Sequence, residues 1–179
     1  MARHFKLTAD GGSRGNPGPA GFGAVVTEGG KIVAELFDVI GVATNNVAEY
    51  NGLLAGLSHI NTLDAQATVE VAMDSKLVVE QMSGRWQIKH ADMRNLAKQC
   101  RDAHPAALVT YSWIPRDENS HADRLANKAL DGGSAHKPIA VIQQNFLTDR
   151  LRNAEIPTFI YFVRHGETVL TPARKFSGT

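Results

Sequence analysis

The order in which strand-like and helix-like patterns follow one another most limits the folds open to this chain. Residues 4–10 alternate between apolar and polar side chains, as a half-buried strand does. Residues 21–40 form two apolar runs around the sequence EGGK, which predicts a β-hairpin. Later patterns are helical at 45–63, 75–84, 89–104 and 118–133, and strand-like at 67–74 and 107–115. This βββαβααβα order predicts an α/β fold, a five-stranded mixed sheet with helices on both faces.

Composition excludes several classes of protein. A chain of 179 residues can bury a core and predicts one domain with an attached piece. Cys100 is the single cysteine, so no internal disulfide can form and a cytoplasmic setting is expected. No apolar run is long enough to span a membrane, so no membrane partner is expected. The net charge of +1 excludes a strongly basic nucleic-acid footprint.

Four carboxylates occupy the ends of predicted elements. Asp10 ends the first strand and Asp74 the fourth, whereas Glu49 and Asp123 lie near the starts of helices. If the two strands are neighbours, the four side chains converge at one edge of the sheet and repel one another. Oxygen ligands favour Mg²⁺ or Mn²⁺, and two such ions commonly cleave a phosphodiester. The alternative stays open here: these residues cap helices, with Asp74 as an N-cap.

Four motifs in sequence carry a resemblance to a known family. The segments DGGSRGNPGPAGFG, TNNVAEYNGLLAGL, MDSKLVVEQMSGRW and IPRDENSHADRLANKAL together resemble type 1 ribonuclease H over residues 1–131. The resemblance implies a five-stranded mixed sheet with flanking helices. It also implies hydrolysis of the RNA strand of an RNA–DNA hybrid, leaving 3′-hydroxyl and 5′-phosphate ends. The metal ligands it implies for two Mg²⁺ ions, with Mn²⁺ as the alternative, are Asp10, Glu49, Asp74 and Asp123.

The family pattern also assigns roles within the site. Asp10 would bridge both ions, Glu49 and Asp74 would complete one metal site, and Asp123 would help to hold the other. The backbone of Gly11 and Gly12 would approach the RNA strand closely, because glycine has no Cβ in the way. A 2′-hydroxyl near Glu49 would distinguish RNA from DNA.

Polar residues near these carboxylates are predicted to contact the substrate. Asn16, Asn45 and Asn46 resemble minor-groove contacts, and Thr44 resembles a contact to a DNA phosphate. For each of these four residues, ordinary turn or cap chemistry is the alternative. Asn119 keeps its family position near the site and is also predicted among the substrate-binding residues.

Two departures from the family pattern bear on activity. Many members carry a histidine in the loop before the last aspartate. Arg116 lies near that position here, so no catalytic histidine is assigned, and Arg116 either contacts phosphate or pairs with Asp117 or Glu118. The chain after Trp86 is too short for the extra basic helix of some members, which predicts weak, salt-sensitive hybrid binding. Trp86 itself lies either on a DNA sugar or, slightly favoured, in the core.

The tail carries a second resemblance. FVRHGET and the following ARKFSG resemble the opening of a histidine phosphatase of the phosphoglycerate-mutase-like superfamily. This implies that His165 is a phosphate-accepting nucleophile and that Arg164 binds the phosphoryl group. We expect a ribonuclease H domain at 1–133, a linker at 134–157 and a phosphatase fragment at 158–179. The expected natural protein is bifunctional, and this chain, lacking the rest of the phosphatase, would have no phosphatase activity.

Two alternative functions remain at this stage. One is a nucleic-acid-binding module whose activity is weak without the missing C-terminal domain. The other is a different nuclease on the same fold, which the hybrid-reading pattern TNNVAEYNGL disfavours.

Overall fold

A computed structural model describes residues 3–132 of the chain. The predicted order of strands and helices is confirmed, with two short 3₁₀ turns in addition, Ala106–Leu108 and Arg116–Asn119. The strands are β1 (His4–Ser13), β2 (Gly18–Glu28), β3 (Lys31–Ala43), β4 (Thr68–Met73) and β5 (Val109–Trp113). The helices are α1 (Asn45–Leu63), α2 (Lys76–Met82), α3 (Ala91–Ala103) and α4 (Ser120–Leu130). The predicted linker, the phosphatase fragment and its residues Arg164 and His165 lie outside the described residues.

The five strands form one mixed sheet in the order β3-β2-β1-β4-β5. β1, β2 and β3 pair antiparallel, as the hairpin patterns predict, whereas β4 pairs parallel with β1 and with β5. Helix α1 connects β3, at one edge of the sheet, to β4 on the far side of β1. A crossover that contains a helix is long enough for β1 and β4 to pair parallel. The predicted fold class is therefore confirmed.

Strand β1 differs from its prediction at one end. It was expected to end at Asp10, but it continues through the glycines to Ser13, paired with β2 throughout. Pairing with β4 stops earlier, at Thr8 opposite Ala72. Asp10 therefore lies two residues beyond Thr8, the last residue of β1 that pairs with β4, where the two strands have separated.

The core lies on both faces of the sheet. The larger cluster packs α1 to α3 against one face, with Phe5, Leu7, Tyr50 and Leu57 fully buried. On the other face, α4 places Leu125 and Ala129 against β2 and β3. No helix within residues 3–132 has the length and apolar character that a membrane crossing needs.

Candidate active site

Three carboxylates meet where β1 and β4 separate. One ligand oxygen from each of Asp10, Glu49 and Asp74 lies within 4.8 Å of the others. Asp10 comes from β1, Asp74 follows β4 directly, and Glu49 lies in the second turn of α1. The parallel register of β1 and β4 brings the two aspartates to the same edge of the sheet.

Gly11 allows α1 to approach β1 closely enough to form this cluster. A Cβ atom on Gly11 would lie 2.1 Å from the backbone nitrogen of Glu49 and 2.3 Å from the carbonyl carbon of Ala48. Any side chain would therefore force the strand and the helix apart. The absence of a Cβ at this position sets the separation between Asp10 and Glu49.

The cluster is electrostatically unfavourable without a cation. Asp10 and Glu49 are only 7% and 6% exposed. Burial, followed by repulsion from Asp74, raises the pKa of Asp10 to about 7. Burial, followed by repulsion from Asp10 and Asp74, raises the pKa of Glu49 to about 9. A positive charge placed among these groups would favour their ionised forms.

Glu49 also keeps one oxygen without a partner. Its Oε1 accepts a hydrogen bond of 3.4 Å from Asn45 Nδ2, whereas its Oε2 is buried with no donor among the described residues. Buried polar atoms are normally paired, so an orphan oxygen beside two carboxylates fits a site that binds a cation. An all-oxygen ligand set suits Mg²⁺ or Mn²⁺ rather than zinc.

Asp74 is oriented by a buried amide. Asn119 Nδ2 donates to Asp74 Oδ1 at 2.6 Å and to the backbone oxygen of Ala9 at 2.9 Å. Asp74 does not cap α2, because Ser75 occupies the N-cap position. The helix-cap alternative for Asp74 is therefore wrong.

Asp123 lies apart from the other three carboxylates. It lines the same cavity of about 270 Å³ but does not belong to the group of closely spaced ligand atoms. Arg116 Nη2 donates to its Oδ1 at 2.7 Å, and Asn127 Nδ2 donates to its Oδ2 at 3.1 Å. The convergence expected from the sequence thus holds closely for three side chains, and the fourth lies on the wall of the same cavity. The ion-pair partner of Arg116 is Asp123, and not Asp117 or Glu118.

Some of the residues predicted to contact substrate line the cavity, and others lie at or beside the start of α1. Gly11, Gly12, Asn45 and Arg116 line the cavity. Thr44 caps α1, its Oγ1 accepting from the backbone nitrogen of Val47 at 3.4 Å. Asn16 Oδ1 accepts from the backbone nitrogen of Asn45 at 3.2 Å, which ties the glycine-rich loop to the start of α1. Asn46 is half-buried in the first turn of α1.

Two predictions need correction. Asn119 is 1% exposed and its amide nitrogen is fully engaged, so it cannot reach a substrate directly. Its amide nitrogen donates to Asp74 and to the backbone oxygen of Ala9 instead. Trp86, expected in the core, is 48% exposed, because it follows Gly84 beyond the end of α2 and has left the packed surface.

Sequence reasoning did not single out several polar or aromatic residues at the site. Arg14 and Asn127 line the cavity, and Trp113 Nε1 donates to the backbone oxygen of Asp74 at 3.0 Å. Asn127 was detectable, since it lies four residues after Asp123 on one helix face. Trp113 was not, because its closeness to Asp74 depends on the register in which it pairs with Met73.

Comparisons with known proteins agree with this geometry. A family model described as reverse transcriptase-like matches residues 8–129. The bifunctional protein Rv2228c of Mycobacterium tuberculosis is 46% identical over 182 residues, covering 96% of this chain and 50% of the relative. This chain thus spans about half the length of the curated relatives that it matches first. The ribonuclease H of Mesorhizobium japonicum is 31% identical over 180 residues, covering 87% of this chain and 99% of the relative.

Solved structures show the same fold. The N-terminal RNase H domain of Rv2228c, as a fusion with maltose-binding protein, has a TM-score of 0.69 at 51% identity, covering 73% of this chain and 96% of that one. LC11-RNase H1, isolated from compost by a metagenomic approach, was solved with an RNA/DNA hybrid. It has a TM-score of 0.66 at 36% identity and covers 72% of this chain and 97% of that one. Residues 8–129, which the family model matches, include Asp10, Glu49 and Asp74. The chain belongs to the ribonuclease H family.

Proposed function

We propose that this protein hydrolyses the RNA strand of RNA–DNA hybrids, leaving 5′-phosphate and 3′-hydroxyl ends. The observation that carries the proposal is the cluster of Asp10, Glu49 and Asp74, with its raised pKa values and the orphan oxygen of Glu49. That a family member binds an RNA/DNA hybrid in its solved structure supports the choice of substrate.

The proposed cofactor is a pair of Mg²⁺ ions, with Mn²⁺ as the alternative. Asp10, Glu49 and Asp74 would hold one ion, and Asp10 with Asp123 would hold the other. When bound, such ions supply an activated water and charge stabilisation of the leaving 3′ oxygen. The chain's own part is to hold these carboxylates in place, with Asn119 orienting Asp74 and Gly11 setting the spacing to Glu49.

Substrate binding is proposed at the same cavity. The backbone at Gly11 and Gly12 and the side chains of Asn45 and Arg116 face the space that a phosphodiester would enter. Thr44, Asn16 and Asn46 lie at or beside the start of α1, where a contact to the hybrid would add to their structural bonds. Because the net charge is only +1, we expect hybrid binding to be weak and salt-sensitive.

The test is cleavage of an end-labelled RNA–DNA hybrid with Mg²⁺ or Mn²⁺. We expect cutting of the RNA strand alone by the wild type, and none by Asp10→Asn. Asp92→Asn is the matched control, because Asp92 is an exposed carboxylate in the first turn of α3. Duplex DNA serves as the control substrate.

Two outcomes would contradict the proposal. Cleavage of duplex DNA at a comparable rate would indicate a different nuclease on this fold. A folded protein that binds hybrid but cuts nothing with either metal would favour the alternative function, a binding module whose activity needs a further domain.

We also propose that residues 158–179 belong to a histidine phosphatase domain in a bifunctional protein. The RHGET motif with Arg164 and His165 supports this, as does a relative that is called bifunctional and is twice as long. The domain boundaries and the cytoplasmic setting stay predictions. Phosphatase activity from a chain that continues past this motif, lost in His165→Ala, is the expected result, and activity retained in that variant would contradict it.

A further inference from the structure

The fourth carboxylate of the cavity is already paired with a cation of the protein itself. Arg116, in the 3₁₀ turn before α4, donates to Asp123 Oδ1 at 2.7 Å. Its side chain is 78% exposed and that of Asp123 is 27% exposed, so the pair lies at the mouth of the cavity. The guanidinium can therefore leave Asp123 without disturbing buried structure.

The other oxygen of Asp123 is engaged as well. Asn127, one turn further along α4, donates to Oδ2 at 3.1 Å. Asp123 thus differs from Glu49, whose Oε2 has no donor among the described residues. The cluster that contains Glu49 lies on one side of the cavity, and a bound cation would stabilise it. On the other side, Asp123 is already paired with Arg116.

Arg116 also acts on the rest of the cavity. Its positive charge opposes the rise in the pKa of both Asp10 and Glu49, so it lies close enough to interact with these two carboxylates. Arg14, the other arginine that lines the cavity, pairs with Asp131 at the end of α4 instead. Among the described residues, Arg116 is therefore the cation that competes for Asp123.

We propose that Arg116 is the resident counter-ion of Asp123 and has to be displaced before a second divalent cation binds there. The inference rests on the proposed function, because it assumes that the cavity holds two ions. The ion pair makes the two cation positions differ in affinity. The cluster of Asp10, Glu49 and Asp74 fills first, and the Asp123 position fills at higher cation concentration, after the ion pair breaks.

Calorimetric titration with Mn²⁺, in the absence of nucleic acid, tests this. Arg116→Ala is expected to tighten binding of the second ion by about two- to fivefold, the range that an exposed ion pair contributes. Arg124→Ala is the matched control: Arg124 is an exposed arginine on α4 and forms no ion pair within residues 3–132. Both substituted side chains are exposed, so both variants are expected to fold.

A double-mutant cycle separates competition for Asp123 from loss of a nearby charge. Because Asp123→Asn removes a proposed ligand of the second ion, the first ion is the one measured in that background. If Arg116 acts through Asp123, Arg116→Ala tightens the second ion in the wild-type background by more than it tightens this first ion in Asp123→Asn. Equal shifts in the two backgrounds, or an equal shift in Arg124→Ala, would overturn the inference.

The same titration distinguishes failure of this inference from failure of the proposed function. Wild-type protein that binds no Mn²⁺ would overturn both. Normal binding of two ions that Arg116→Ala leaves unchanged would overturn only the role of Arg116.

Discussion

Asn119 Nδ2 lies 2.6 Å from Asp74 Oδ1, and the same nitrogen donates to the backbone oxygen of Ala9. One buried amide thus links the start of α4 to the strand before Asp10 and to the carboxylate after β4. The other amide atom, Oδ1, is buried without a partner among the described residues. Asn119 therefore positions Asp74 and does not itself reach the cavity.

We expect Asn119→Ala to weaken Mn²⁺ binding and to lower kcat more than it changes KM. Loss of a residue that orients a metal ligand typically costs about 10- to 100-fold in affinity or activity. Calorimetry with Mn²⁺ and steady-state cleavage of a hybrid measure the two effects. Asn51→Ala is the control, because it removes a comparable amide bond, to the Val47 oxygen, within α1. Equal losses in both variants would show that Asn119 acts through general stability only.

Gly11 and Gly12 are adjacent but differ in what surrounds them. We expect Gly11→Ala to lower the free energy of unfolding by about 1–3 kcal/mol or more, because its Cβ would meet the backbone of Glu49 and Ala48. We expect Gly12→Ala to be tolerated, because its Cβ would contact only Leu130 Cδ1, at 3.5 Å. Urea denaturation of the two variants measures the difference, and equal stabilities would contradict the close approach of β1 and α1.

The metal-free protein should become less stable as pH rises. The pKa values of Asp10 and Glu49, about 7 and about 9, lie above their ordinary values of 3.8 and 4.5. Between these values the folded protein holds protons that the unfolded chain has released, so the free energy of unfolding falls with increasing pH. This contribution is fully present below about pH 4 and is lost as pH rises through about 7 and then about 9.

Urea denaturation in a chelating buffer at several pH values checks this dependence. Asp10→Asn should show a smaller decline than the wild type between about pH 5 and pH 7, because it lacks one of the two titrating groups. Asp92→Asn should behave as the wild type does. Added Mg²⁺ should offset the decline, since it favours the ionised carboxylates. A wild type whose stability is constant over this range would contradict the raised pKa values.

The exposure of Trp86 disfavours a place in the core and leaves the other sequence-based alternative for this residue, contact with a DNA sugar. In a Trp113→Phe background, Trp86 is the only tryptophan, and we expect its fluorescence to change when a hybrid binds in a buffer without divalent cations. Trp86→Ala should raise KM by about fivefold or more, as loss of an aromatic contact of 1–3 kcal/mol would. Unchanged fluorescence and unchanged KM would show that the exposed indole does not face the substrate.

The sequence alone determined the kinds and order of the elements, because periodicity reports which face of a local segment is buried. The bounds of α1, residues 45–63, follow from its pattern, and so does the grouping of Asp10 with Asp74 once β1 and β4 are neighbours. The resemblance of four motifs also identified the family before any contact was known.

Only the tertiary structure decided the contacts between elements that are distant in sequence. The ion pair of Arg116 with Asp123, the burial of Asn119 against Asp74 and the exposure of Trp86 depend on distances between separate elements. No local pattern encodes such distances. The separation of Asp10 from Glu49 is set by a missing Cβ on Gly11, and it becomes visible only when β1 and α1 are packed together.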